Sequence, residues 1–73
     1  MEDKAEIQAR FGKAVKKALK DRQLTLRKLA LEADMEYAHL QRIATGKVNL
    51  ELSTIISISR GLKMTPSELF RYY

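Results

Sequence analysis

The sequence predicts an all-α fold, one compact domain of five short helices over residues 1–73. Apolar residues recur at i, i+3, i+4 spacing in five successive segments, with none of the in-and-out alternation of a strand. Residues that start or stop helices stand between those segments, among them Thr25, Asp34, Gly46, Asn49 and Thr65-Pro66. Residues 24–46 spell two short helices joined by a tight turn, with one polar face left outward.

The first helix runs from about Asp3 to Asp21. Ile7, Phe11, Val15, Ala18 and Leu19 form its inner side. Lys13, Lys16, Lys17 and Lys20 share an arc of about 100° on the other, at about 100° per residue. The second helix opens at Thr25, whose side-chain oxygen can cap it, with Leu24 and Leu29 placed as a hydrophobic staple. Leu26, Leu29, Ala30 and Ala33 face inward, and the run ends at Asp34, a residue type that tolerates the left-handed conformation. Met35 is expected to plug the turn from beneath. The third helix, about Glu36 to Thr45, turns Leu40, Ile43 and Ala44 inward and leaves Ala38, Gln41, Arg42 and Thr45 outward. Gly46 ends it in the left-handed conformation. Asn49 is expected to cap the fourth helix, with Leu52, Ile55, Ile58, Ser59 and Leu62 on its inner face. Thr65-Pro66-Ser67-Glu68 is a capping box with proline at the first helical position, and Leu69 and Phe70 should then face the core.

A chain of 73 residues buries only about 60% of the surface its unfolded form exposes, so a second copy would help to stabilise it. There is no cysteine, hence no disulfide framework and no thiolate metal site. No apolar run approaches the roughly 18 residues of a membrane span, and the polar, acidic start differs from a secretory signal. A cytoplasmic protein with no membrane partner is the expectation. The net charge of +5 is unevenly placed: residues 10–28 hold eight Lys or Arg against Asp21, while residues 29–73 balance five against five. A basic block beside a neutral remainder is the footprint of a polyanion binder, though a solvated helix face would show it equally. Catalysis finds no support, because no paired-carboxylate, nucleophile–base or glycine-rich phosphate motif is present, and no cofactor is expected. His39 stands alone, with no cysteine or second histidine to complete a metal site.

Phe11-Gly12-Lys13-Ala14-Val15, followed by the run from Leu24 through Gly46, resembles the lambda-repressor-like, or Xre-type, helix-turn-helix family over about residues 11–70, without an insertion. The helix-turn-helix would be formed by helices two and three, about residues 25–45. Several positions depart from the family pattern. Leu26 stands where a glutamine usually touches a phosphate and braces the third helix; Asp34 and Lys63 stand where glycine is common, and Leu50 where proline is frequent. Leu19 and Ala44 occupy positions where the family often pairs an arginine with a glutamate, and replacing both partners of such a pair is compatible with an intact fold.

The resemblance implies a five-helix domain that binds double-stranded DNA, with Tyr37, Ala38, Gln41, Arg42 and Thr45 at or near base edges. The Arg42 fork can donate two hydrogen bonds to a guanine, whereas Ala38 can offer only apolar contact, as with a thymine methyl. Tyr37 lies between the buried and exposed arcs, which leaves core packing, a phosphate hydrogen bond and base contact all open. Thr25, Arg27, His39, Lys47 and Asn49 are candidates for phosphate contact, although helix capping alone would explain Asn49. The lysine face of the first helix supplies general electrostatic attraction at most, since that helix lies mainly behind the reading pair in the family. Ile56, Met64, Tyr72 and Tyr73 are more apolar than a monomer surface needs, and are expected at a homodimer interface unless they complete the core. The expected function is sequence-specific DNA binding by a transcriptional regulator. The alternative is a protein-interaction module, the antitoxin or adaptor partner of a toxin or another regulator. Leu26 favours that alternative, and the placement of charge opposes it.

Overall fold

The computed structural model describes residues 2–73. Among them the chain forms five helices and no strand: α1 Lys4–Arg22, α2 Leu26–Glu32, α3 Tyr37–Ala44, α4 Leu52–Gly61 and α5 Pro66–Phe70. The long α1 is capped at its start by Asp3, whose carboxylate accepts the Glu6 N–H at 2.8 Å. Its end is set by Gln23 at φ 57, with the Leu24 N–H returning to the Leu19 carbonyl at 3.0 Å. The Thr25 hydroxyl oxygen accepts the Lys28 N–H at 3.1 Å and starts α2. Asp34 takes the left-handed conformation at φ 55, and Met35 turns back onto the core with its N–H on the Ala30 carbonyl at 2.9 Å. Gly46, at φ 74, closes α3.

α1 packs against α3 and α5, α2 against α3 and α4, and α4 against α5. Val15, Leu29, Leu40, Ile43, Ile58, Leu62 and Leu69 are fully buried where these helices meet. The radius of gyration, 11.0 Å, equals the about 11 Å expected for a single compact chain of this length. Two glycines set how closely α1 and α3 approach. A Cβ on Gly12 would lie 2.6 Å from the Ala44 carbonyl oxygen, and one on Gly46 2.7 Å from the Ala9 Cα. The C-terminal end of α3 and the loop after it therefore rest directly on α1. Leu19 and Ala44 are both buried, as apolar replacements of a charged pair should be.

Five expectations are corrected. Asn49 caps nothing: α4 begins at Leu52 with Glu51 as its cap residue, because Leu50 packs on the core and the chain extends past it before turning helical. Leu52 is 74% exposed, since the first turn of α4 protrudes beyond its packing partners. Ile7 and Phe70 are also exposed; Phe70 stacks its ring between Phe11 and Tyr73, at 5.7 and 5.9 Å, instead of entering the core. Met64 does the reverse. Lys63 takes φ 60, and the turn it makes drives Met64 inward, 8% exposed and part of the core.

The same contacts give stability a pH dependence. Arg10 beside Glu2, Lys63 and Lys28 beside Glu32, and the Thr65 N–H on Glu68 each hold a carboxyl below its ordinary range. A depressed carboxyl stabilises the fold above its unfolded pKa of about 4.3, and that contribution is lost as pH falls through the lower folded value. The melting temperature should stay level from pH 7 to about 5 and decline below about 4. Glu68→Gln keeps an acceptor for the Thr65 N–H, so it should retain the cap and lose part of the acid-induced decline. A melting temperature unchanged down to pH 2 would contradict this.

Candidate nucleic-acid interface

The local chemistry of α3 leaves one face free. Leu40, Ile43 and Ala44 are buried, whereas Ala38, Gln41, Arg42 and Thr45 project from the opposite side and are exposed. An α-helix with its side chains is about 10–12 Å across, which the DNA major groove, about 12 Å wide, admits. Among the described residues Arg42 forms no ion pair, so its five donors remain available to a partner. The Thr45 hydroxyl is committed as a donor to the carbonyls of Gln41 and Arg42, at 3.1 Å each, and keeps only acceptor capacity and its methyl group.

Tyr37 is half-buried against the core, and the Arg27 guanidinium lies 4.1 Å above its ring. Core packing therefore accounts for part of the ring, and a cation–π contact for another face of it. This stack ties the first turn of α2 to the first turn of α3, next to Leu26, where the usual bracing glutamine is missing. Thr25 sits at the start of α2 with its oxygen engaged by Lys28 and its O–H free to donate. Lys47, exposed, follows Gly46 at the far end of α3, its N–H returning to the Arg42 carbonyl at 3.0 Å. His39 is half-buried and opens, with Arg42, Asp34, Glu36, Ser53 and Ser57, onto a groove of about 490 Å³ between α3 and α4. Asn49 lies apart from the α3 face, on the rim of an apolar groove with Ile7, Leu50, Ile55 and Phe70. Tyr37, Ala38, Gln41 and Arg42 thus lie on α3 with Thr45 at its C-cap, Arg27 meets its first residue, Lys47 follows its end, and Thr25 lies at the start of α2.

The Cro/C1-type HTH DNA-binding domain family matches residues 14–73. The chain belongs to this family. Control protein C.MunI from Mycoplasma sp is 36% identical over 66 residues, 89% of both chains. Among solved structures, the restriction-modification controller protein C.AhdI from Aeromonas hydrophila superposes with a TM-score of 0.82 at 22% identity, covering 88% of this chain and 97% of its own. The clp gene regulator ClgR from C. glutamicum superposes at 0.83 with 18% identity, covering 90% and 86%. These two show the fold of the Cro/C1-type domain. Family membership makes the function DNA binding in transcription regulation, and the family is one of regulators, not enzymes. No helix of the described residues is long and apolar enough to cross a membrane.

Elsewhere on this Cro/C1-type domain, the C-terminal aromatics are tied to α1. The Tyr72 hydroxyl donates to Asp21 at 2.6 Å and the Tyr73 hydroxyl to Glu2 at 3.1 Å, while the Arg10 guanidinium stacks 4.0 Å over the Tyr73 ring. The Asp21 carboxylate raises the Tyr72 phenol above its ordinary pKa, and burial followed by Glu2 does so for Tyr73, so both remain donors. Ile56 is half-buried on α4. The exposed large apolar residues are Ile7, Leu52 and Phe70, whose helical period alone points to the core, and Leu31 on α2.

Proposed function

We propose that the protein is a sequence-specific, homodimeric transcriptional controller that acts on cytoplasmic DNA. The observation that carries the reading is the outward face of α3, where an unpaired Arg42 stands among Ala38, Gln41 and Thr45 on a helix of groove-matching size. In this reading Arg42 reads a guanine, Gln41 and Ala38 flank it, and Thr25, Arg27 and Lys47 hold phosphates on either side. The control role follows the likeness to the control protein C.MunI, and a restriction-modification system is its proposed object, after the likeness to the restriction-modification controller protein C.AhdI.

The second copy would dock on α4. Leu52 and Ile56 share one helix face, and Leu52 stands one turn from Ile55, which lines the apolar groove with Ile7 and Phe70. Covering that surface suits a domain this small. Tyr73, which lines that groove, contributes at its edge, whereas Tyr72 lies apart from it beside Arg22 and Glu68, and Met64 is buried.

Titrating salt against affinity while counting protomers on the duplex by sedimentation tests both parts together. Affinity should fall steeply, by about 0.9 in log units per log unit of salt for each phosphate neutralised, with two protomers per site. Leu52→Lys should reduce this to one protomer with weaker binding. A flat salt plot, the behaviour of a protein-interaction module, or a single wild-type protomer on the selected site would contradict the reading.

A further inference from the structure

We propose that the lysine face of α1 is a second phosphate-binding surface, which holds the backbone of duplex flanking the half-site; the inference rests on the DNA-binding reading above. Lys13, Lys16, Lys17 and Lys20 are all exposed, and none forms an ion pair among the described residues. They lie four and three apart, so Lys13–Lys17, Lys16–Lys20, Lys13–Lys16 and Lys17–Lys20 are like-charge neighbours, each unfavourable to the helix that carries them. The acid of α1 within one turn of these lysines is Asp21, four residues beyond Lys17, and its carboxylate also accepts from Tyr72. Four lysines on one face against a single neighbouring acid leave a net positive stripe that an external anion would offset.

Position identifies the anion. Gly46 rests on Ala9, and Gly12 on the carbonyls of Ile43 and Ala44, so the end of α3 and the start of the Lys47 loop cross α1 at Ala9 and Gly12. Lys13 is one turn beyond Ala9, and Lys16 one turn beyond Gly12. The stripe therefore begins where α3 ends, and Lys47, Lys13, Lys16 and Lys20 form one basic track leading away from the reading helix. From Lys13 to Lys20 the track rises about 10 Å, a length over which a duplex carries about six phosphates on its two strands. Lysine is suited to that role, being a compact point charge that binds phosphate without reading a base.

The test uses the full chain and its Lys13→Gln/Lys16→Gln/Lys20→Gln variant on two duplexes of the same site, one trimmed at the half-site edges and one with about 10 additional base pairs on each side, about one helical turn. Glutamine keeps helix propensity while removing charge, so the variant should fold with an unchanged or raised melting temperature. The wild type should bind the long duplex about tenfold more tightly than the trimmed one, with a salt slope steeper by up to about 0.9 per engaged lysine. The variant should bind both lengths as the wild type binds the trimmed one. Equal wild-type affinity for both lengths, or an equal loss by the variant on both, would overturn the flanking contact while leaving DNA binding intact. If neither duplex bound with salt dependence, the DNA reading would fall first and this inference with it.

Discussion

Arg42→Ala should weaken binding to the preferred duplex by about 1 to 3 kcal/mol, and should relax the choice of base at one position in each half-site. The side chain projects from the exposed face of α3 with no ion pair among the described residues, so its removal strands no buried partner and leaves the fold unchanged. Lys47→Ala is the matched contrast. It lies in the loop after Gly46, so its loss should weaken preferred and random duplexes alike and lower the salt slope by about 0.9. Affinities of both variants on a preferred and a scrambled duplex, over a range of salt, check the difference. If both substitutions weakened the two duplexes by the same factor, Arg42 would be another phosphate contact.

Gly12→Val should be the most damaging single change to the fold. A Cβ there would lie 2.6 Å from the Ala44 carbonyl oxygen and 2.8 Å from that of Ile43, both backbone atoms that cannot rotate aside. α1 and α3 would have to separate. Overpacking of this kind costs about 1 to 3 kcal/mol or more, against a total stability of roughly 4 to 11 kcal/mol for a chain of this size. At about 4 to 8 °C per kcal/mol, the melting temperature should drop by 10 °C or more, ~2–3 kcal/mol. Lys13→Val, one residue on and exposed, places the same side chain in solvent and should change stability by no more than about 0.5 kcal/mol. Equal melting temperatures for the two variants would show that the α1–α3 contact is looser than its geometry.

Caps and turns are local: Thr25, Asp34, Gly46 and the Thr65–Glu68 box each act within four residues, and each adopts the expected conformation. The inward and outward sides of α3 follow from its 3.6-residue period, which is why its exposed face was legible. The rest depends on where helices end relative to one another. Leu52 and Phe70 have the right period but lie in terminal turns that reach past their neighbours. Asn49 is a good capping residue in a segment that Leu50 keeps extended. The Arg27–Tyr37 stack joins residues ten apart on different helices, and no spacing rule connects them. The role of Gly12 likewise belongs to a contact with a helix more than thirty residues away.

Selection of bound sequences from a pool of random duplexes by the wild-type chain tests base reading by α3 most directly. The expected result is an enriched motif with two-fold related halves, centred about 10 base pairs apart so that both copies face the same side of the duplex, each half containing a guanine that Arg42→Ala no longer selects. Retention of DNA with no enriched motif would contradict sequence reading by this face and leave only a phosphate-binding domain.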